Sequence, residues 1–284
     1  MADGPADIAQ RPIAIIGAGT LGGMLAATLI GHGTDVQLFD INPVQLEAAS
    51  EHVAHVADRL VAERGGSRGQ LHTTTVLADA VRDAWLVIEA APERLDLKRE
   101  VFAQLDEVAG EDAILATNSS SYRSRLLADV VSRPERLMNT HFYHPPEKNA
   151  VEVMTSGFTD PALITLVMDV LGSRGFRPFH VRRESTGFIY NRIWAAIKRE
   201  SLLVVEAGIA EPEEIDVLFR SFHQAAVGPF ELMDRVGLDV VLDIEEHYAG
   251  ELEGIPEEPR RLLRRYIAEG KLGMKSGEGF YRYE

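Results

Sequence analysis

The chain has 284 residues, 45% of them apolar and 26% charged, with 29 basic against 44 acidic side chains and a net charge of −15. That length admits one large domain or two ordinary ones, with enough apolar residues for a sizeable core. The acidic balance argues against a general binder of nucleic acid or anionic membrane, and the absence of cysteine removes disulfides, thiolate metal sites and thiol catalysis together.

The stretch from Pro12 to Thr34 holds no formally charged residue and is long enough to cross a bilayer, yet its glycines 17, 19, 22, 23, 31 and 33 disfavour a lipid-facing helix. Met1 to Gln10 carries Asp3 and Asp7 and no basic region, so it reads as a short disordered leader rather than a signal peptide. The expectation is a soluble, cytoplasmic protein.

In chain order, Ile13 to Gly17 reads as a strand, Thr20 to His32 as a helix, and Val36 to Asp40 as a second strand. A long helix is expected from Val44 to Arg64, then strands at Leu71–Thr75 and Trp85–Ala90, and an amphipathic helix at Leu95–Val108. Strands at Ala113–Thr117, Arg136–Tyr143 and Ala150–Thr155, a helix at Pro161–Leu171 and a strand at Phe176–Val181 complete the alternation. Such alternation predicts an α/β fold, a Rossmann-type doubly wound sheet with helices on both faces. Beyond about Arg183 only helical patterns remain, at Phe188–Ala207, Pro212–Phe222, Pro229–Tyr248 and Pro259–Glu269. The boundaries read are therefore 1–183 for the sheet domain and 184–284 for an all-helical domain.

Gly17-Ala18-Gly19-Thr20-Leu21-Gly22 is a GxGxxG between a strand and a helix. The first glycine permits the tight turn, the second lets backbone approach a pyrophosphate, and the third lets helix pack on strand. The phosphates then meet the free N–H groups of a helix N-terminus. Asp40 stands 18 residues beyond Gly22 at the end of the second strand. A carboxylate there accepts ribose hydroxyls and repels an extra phosphate, so the cofactor read is NAD and not NADP.

Oxidation of an alcohol by hydride transfer needs a base for the hydroxyl proton. Of the nine histidines, His141 and His144 lie at the end of a strand, where open α/β sheets bind ligands. Eleven residues after His141, Glu152 sits alone among Ala150, Val151, Val153 and Met154. Burying that acid is costly unless it is paired, and a His–Glu pair would orient the imidazole and stabilise its charged form. An edge-strand Glu facing water is the competing reading of the same residue.

The segments VIEAAPERLDLKREVF, ILATNSSS, NTHFYHPP, VEVM, TGFIYNR, VGPFELMDRVGLD and KLGMKSGEGFYRY carry a resemblance. Over essentially its whole length the chain resembles the L-3-hydroxyacyl-CoA dehydrogenase family. Relatives of the same build, such as carnitine dehydrogenase, gulonate dehydrogenase and lambda-crystallin, act on substrates without CoA or have no catalytic role. By position, the resemblance implies His141 as catalytic base, Glu152 as its partner, Ser120 as the hydrogen bond to the substrate oxygen, and Asn191 as support for substrate and histidine. It implies a cofactor-facing set of Asn118, Ser120, Glu93, Lys98 and Lys275 around the glycine loop and Asp40. The family's asparagine three residues after the histidine is His144 here, which the resemblance puts among the cofactor-binding residues with that contact altered, and its threonine after Asn118 is Ser119.

The segment between His141 and Glu152 is one residue shorter than in the mitochondrial-type enzymes. The arm from Val44 to Leu71 has no lysine, where the family uses lysines to hold the CoA nucleotide; only Arg59, Arg64 and Arg68 could replace them. The activity implied is reversible NAD-dependent oxidation of a short-chain L-3-hydroxyacyl-CoA, within fatty-acid metabolism. Alternatives are a carnitine-like or gulonate-like free 3-hydroxy acid substrate, and a non-catalytic NAD-binding protein of lambda-crystallin type. A homodimer is expected through the helical domain, where Leu202, Val205 and Ile209 form an apolar stripe. No metal ligand set and no nucleic-acid or membrane partner is expected.

Overall fold

The structure is a computed structural model that describes residues 4–283, so Met1 to Asp3 of the expected leader lie outside the described residues. It divides into two compact units, one running to Phe188 and the other from Ile189.

The first unit is built on an eight-stranded sheet: β1 Ile13–Ile16, β2 Val36–Phe39, β3 Leu71–Thr74, β4 Leu86–Glu89, β5 Ile114–Thr117, β6 Leu137–Phe142, β7 Ala150–Thr155 and β8 Arg177–Val181. Their order is 3-2-1-4-5-6-7-8. All pairs are parallel except β6 with β7. The central strands β1, β4 and β5 are buried along their whole length, which is why they read as unbroken apolar runs. Alternate residues feed two apolar layers. Ile13, Ile15, Leu86 and Ile88 pack with α1 (Thr20–Gly31), α2 (Pro43–Arg64) and α5 (Pro161–Ser173). Ala14, Ile16, Val87 and Leu115 pack with α3 (Leu77–Val81) and α4 (Leu95–Val108).

Local chemistry sets the helix starts. The Asn42 side chain accepts from the Val44 N–H ahead of α2, and Asp160 does the same for Ala162 ahead of α5, each with proline at the first helical position. The short α3 was not legible, since five residues cannot show a helical period. Residues 4–10 are not a disordered leader. Pro5 is buried, Ile8–Gln10 form a 3₁₀ turn, and Arg11 holds both oxygens of Asp112 and the carbonyls of Asp83 and Ala84.

The second unit comprises α6 (Tyr190–Glu206), α7 (Pro212–His223), α8 (Pro229–Val236), α9 (Leu238–Glu251) and α10 (Glu258–Ala268) around Leu202, Phe230, Met233, Leu238, Val241, Leu262 and Leu263. The single helix expected over Pro229–Tyr248 is two, because Gly237 takes a φ of +102° that an L side chain rarely adopts. The expected interface stripe is also not one surface: Leu202 is fully buried in the unit's own core, Val205 packs against that core, and only Ile209 is exposed. No helix among the described residues is long and apolar enough to cross a membrane.

Candidate active site

The glycine loop joins β1 to α1. Gly17 has a φ of +112°, and a Cβ there would come within 2.7 Å of the Ala90 carbonyl oxygen. A Cβ on Gly22 would fall 1.9 Å from the Gly17 oxygen. Both glycines are therefore required by the protein's own packing. Gly19 differs: a Cβ there would meet nothing within 4 Å. The missing side chain at Gly19 leaves open space at the start of α1, where no side chain caps the helix and no acid stands in the first turn, Thr20 and Leu21 included. These groups fit a pyrophosphate resting on helix N–H donors.

Asp40 bridges this loop to the end of β2. Its Oδ2 accepts from the Ala18 N–H at 2.8 Å and its Oδ1 from the Asn42 N–H at 2.9 Å. An ionised carboxylate has about four acceptor sites, so two remain for ribose hydroxyls. Replacing Asp40 with Asn keeps the shape and removes the charge. The expected outcome is roughly tenfold weaker NADH binding and a gain in NADPH binding, read by fluorescence titration of both nucleotides.

Next to it lies a buried ionic cluster. Glu89 ends β4 with no exposed surface. Its Oε1 accepts from Lys98 Nζ at 2.8 Å and from the Ala91 N–H at 2.7 Å, while its Oε2 accepts from the Thr117 hydroxyl at 2.6 Å. Lys98, 1% exposed, also donates to the Ala91 carbonyl and pairs with Glu93 Oε2 at 3.2 Å. The other oxygen of Glu93 accepts from the Ser119 hydroxyl at 2.6 Å and from the N–H groups of Ser120 and Ser121 at 3.1 and 2.9 Å. Burial pushes the Glu93 carboxyl up, but the Lys98 charge and the hydrogen bonds from Ser119 and Ser121 outweigh it and hold the group below its ordinary value. Lys98 thus meets carboxylates and a carbonyl inside the protein, and Glu93 shapes the loop that carries Ser120.

Ser120 itself is exposed at the end of β5. Asn118, just before it, accepts from the Phe142 N–H at 2.8 Å and so ties β5 to the residue following His141. In the antiparallel ladder of β6 and β7, His141 is the direct cross-strand partner of Glu152. Both are buried, and His141 Nδ1 lies 3.4 Å from Glu152 Oε2. The imidazole packs on the rings of Tyr143 and Phe188, at centroid distances of 4.6 and 5.0 Å. With Nδ1 turned to the carboxylate, Nε2 is the nitrogen left to exchange a proton.

The first unit therefore brings together the glycine loop, Asp40, the Glu89–Lys98–Glu93 cluster, Asn118, Ser120, His141 and Glu152. His144 is exposed beyond β6. Asn191 lies in the first turn of α6 and Lys275 in the loop after α10, both in the second unit. There Lys275 Nζ donates to both oxygens of Asp239 and holds that carboxyl below its ordinary value.

Two site residues escape the sequence reading. Glu89 carries the signal that exposes Glu152, a lone acid in an apolar strand. Tyr143 carries none, since nothing in NTHFYHPP says where its hydroxyl points. In the arm, Arg64 donates to the carbonyls of Gly31 and Ser67 and Arg68 pairs with Asp58 at 2.7 Å, while the exposed Arg59 comes only within 4.0 Å of Glu147.

Comparison with known proteins identifies the family. Residues 12–185 match the NAD-binding domain of 3-hydroxyacyl-CoA dehydrogenase, and residues 187–283 match that family's C-terminal domain. A probable 3-hydroxybutyryl-CoA dehydrogenase of Bacillus subtilis is 33% identical, over 96% of this chain and 98% of the relative. The 5-formyl-3-hydroxy-2-methylpyridine 4-carboxylate 5-dehydrogenase of Mesorhizobium japonicum is 32% identical, over 96% and 91%. The crystal structure of (S)-3-hydroxybutyryl-CoA dehydrogenase from Ralstonia eutropha superposes with a TM-score of 0.85 at 32% identity, covering 96% of this chain and 99% of that one. The chain belongs to the 3-hydroxyacyl-CoA dehydrogenase family and is an NAD-dependent oxidoreductase acting on CH–OH groups.

Proposed function

We propose that the protein catalyses the reversible oxidation of a short-chain L-3-hydroxyacyl-CoA to the 3-oxoacyl-CoA. The observation that carries this reading is the buried His141–Glu152 pair at the carboxyl end of β6, in a sheet whose first loop fits NAD. Bound NAD supplies the hydride acceptor. His141 takes the substrate hydroxyl proton at Nε2, and Glu152 stabilises the imidazolium that results. Ser120 and Asn191 are assigned to the substrate oxygen, and Asn118 fixes the strand end on which His141 stands. In the reverse direction His141 returns the same proton, so one proton is exchanged with solvent for each NADH turned over.

A second reading is favoured by one observation: Arg64 and Arg68 are engaged within the protein, and the arm holds no lysine for CoA phosphates. The relative from Mesorhizobium is named for a pyridine carboxylate and not for a CoA ester, which supports a substrate without CoA. The substrate would then be a free 3-hydroxy acid. A panel of 3-hydroxyacyl-CoA esters beside the matching free acids, assayed for NAD reduction, separates the two. Turnover of the esters alone is expected, turnover of the acids alone replaces the first reading with the second, and no turnover of either removes both.

A homodimer and a cytoplasmic role in fatty-acid metabolism belong to the same proposal. The dimer would form through the exposed apolar side chains of α6 and α7, Ile193, Leu218 and Phe222. Light scattering at micromolar concentration should give twice the chain mass; a monomer would contradict it.

A further inference from the structure

Glu152 Oε2 is shared by two donors, and the imidazole is the weaker of them. The Tyr143 hydroxyl donates to it at 2.8 Å, a normal O–H···O hydrogen-bond length, whereas His141 Nδ1 stands 3.4 Å away, beyond the usual N–H···O range. The same tyrosine ring packs on the imidazole at 4.6 Å. Glu152 is 3% exposed, so its orientation is set by protein donors rather than by water. We propose that Tyr143 is a positioning residue for the hydride-transfer reaction, whose hydroxyl fixes the Glu152 carboxylate and thereby the orientation of His141.

The physical argument rests on freedom about the carboxylate's own bonds. A glutamate side chain has three torsions, and the terminal one is broad, so the 3.4 Å contact to the imidazole restrains it less than a short donor does. The phenol adds a second, shorter anchor from the neighbouring position on the opposite strand. His141 and Tyr143 lie two residues apart, and the backbone N–H of Tyr143 donates to the Ala150 carbonyl at 3.3 Å, which ties the tyrosine back to the strand that carries Glu152. Base, anchor and carboxylate are thus three side chains on one antiparallel pair. The anchor touches neither cofactor nor substrate in this assignment and acts only through Glu152.

This inference rests on His141 as the base, and the test keeps the two separable. Tyr143→Phe retains the ring and loses only the hydroxyl. With the substrate turned over by the wild type, kcat should fall about tenfold, the loss of one hydrogen bond to a charged group, while bound-NADH fluorescence stays as in the wild type. In a Glu152→Ala background, measured by single turnover with enzyme in excess, the same substitution should change the rate less than twofold. An equal loss in both backgrounds, or no loss in the wild type, overturns the proposal. A crystal structure of Tyr143→Phe decides the matter independently of turnover. Glu152 turned away from His141 is expected, and a carboxylate unmoved at 3.4 Å from Nδ1 overturns it. A His141→Ala variant that turns over as fast as the wild type would overturn the base assignment instead.

Discussion

His141→Ala should reduce turnover by at least a hundredfold while leaving NADH binding unchanged. General acid–base catalysis by a positioned side chain contributes on the order of 10²–10⁴ in rate, and His141 is the titratable group at the end of β6 whose other nitrogen faces a buried carboxylate. Binding is spared because the groups that fit the dinucleotide, the glycine loop and Asp40, belong to β1, α1 and β2 and make no use of the imidazole. Steady-state rates and a fluorescence titration on one preparation check both halves. A rate within a few-fold of wild type would show that another group moves the proton; loss of binding with the rate would move His141 into the cofactor site. Glu152→Gln should fall between the two, since it keeps the shape and removes the charge that stabilises the imidazolium.

The largest stability loss is expected at Lys98. Its ammonium is enclosed with Glu89, which is wholly buried, and with Glu93, whose side chain is 38% exposed. Removing one partner of a buried ion pair costs about 3–5 kcal/mol, because the remaining charge stays unpaired in a poor solvent for it. Lys98→Met should therefore lower the thermal midpoint by roughly 10 °C in a unit of this size. The loss should be reduced when Glu89→Gln is added, since the stranded charge is then gone. Calorimetry of the two variants and the double variant tests this, and an unaltered midpoint for Lys98→Met would show that the cluster contributes nothing to stability.

Much of the architecture was legible because its signals are local. The unbroken apolar runs of β1, β4 and β5 announce strands buried on both faces, and Asn42-Pro43 and Asp160-Pro161 mark helix starts by hydrogen-bonding chemistry that needs no tertiary partner. The glycine loop was legible for the same reason. What escaped depends on contacts distant in sequence or on a single backbone angle. Gly237 reads as an ordinary residue inside an apolar period until its φ is known. Residues 4–10 look unstructured, yet Arg11 and Asp112, far apart in the chain, pin them. Leu202 belongs to a helical stripe that fits a partner surface as well as a core, and periodicity cannot tell which. At the site, the pairing of His141 with Glu152 could be anticipated from charge and burial, whereas the hydroxyl of Tyr143 and the enclosure of Lys98 required side-chain positions.

One consequence follows from His141 and Glu152 being rungs of the same ladder. Their meeting is set by backbone pairing from Met138–Thr155 to Phe142–Val151, with Tyr143 the residue of the connection that reaches the carboxylate. A slip of one position in that ladder would turn Glu152 to the opposite face of the sheet, so the fidelity of strand pairing and the presence of chemistry are one event in folding. Tyr143 continues that register by one residue, and beyond it residues 144–149 can vary without moving the base and its carboxylate apart.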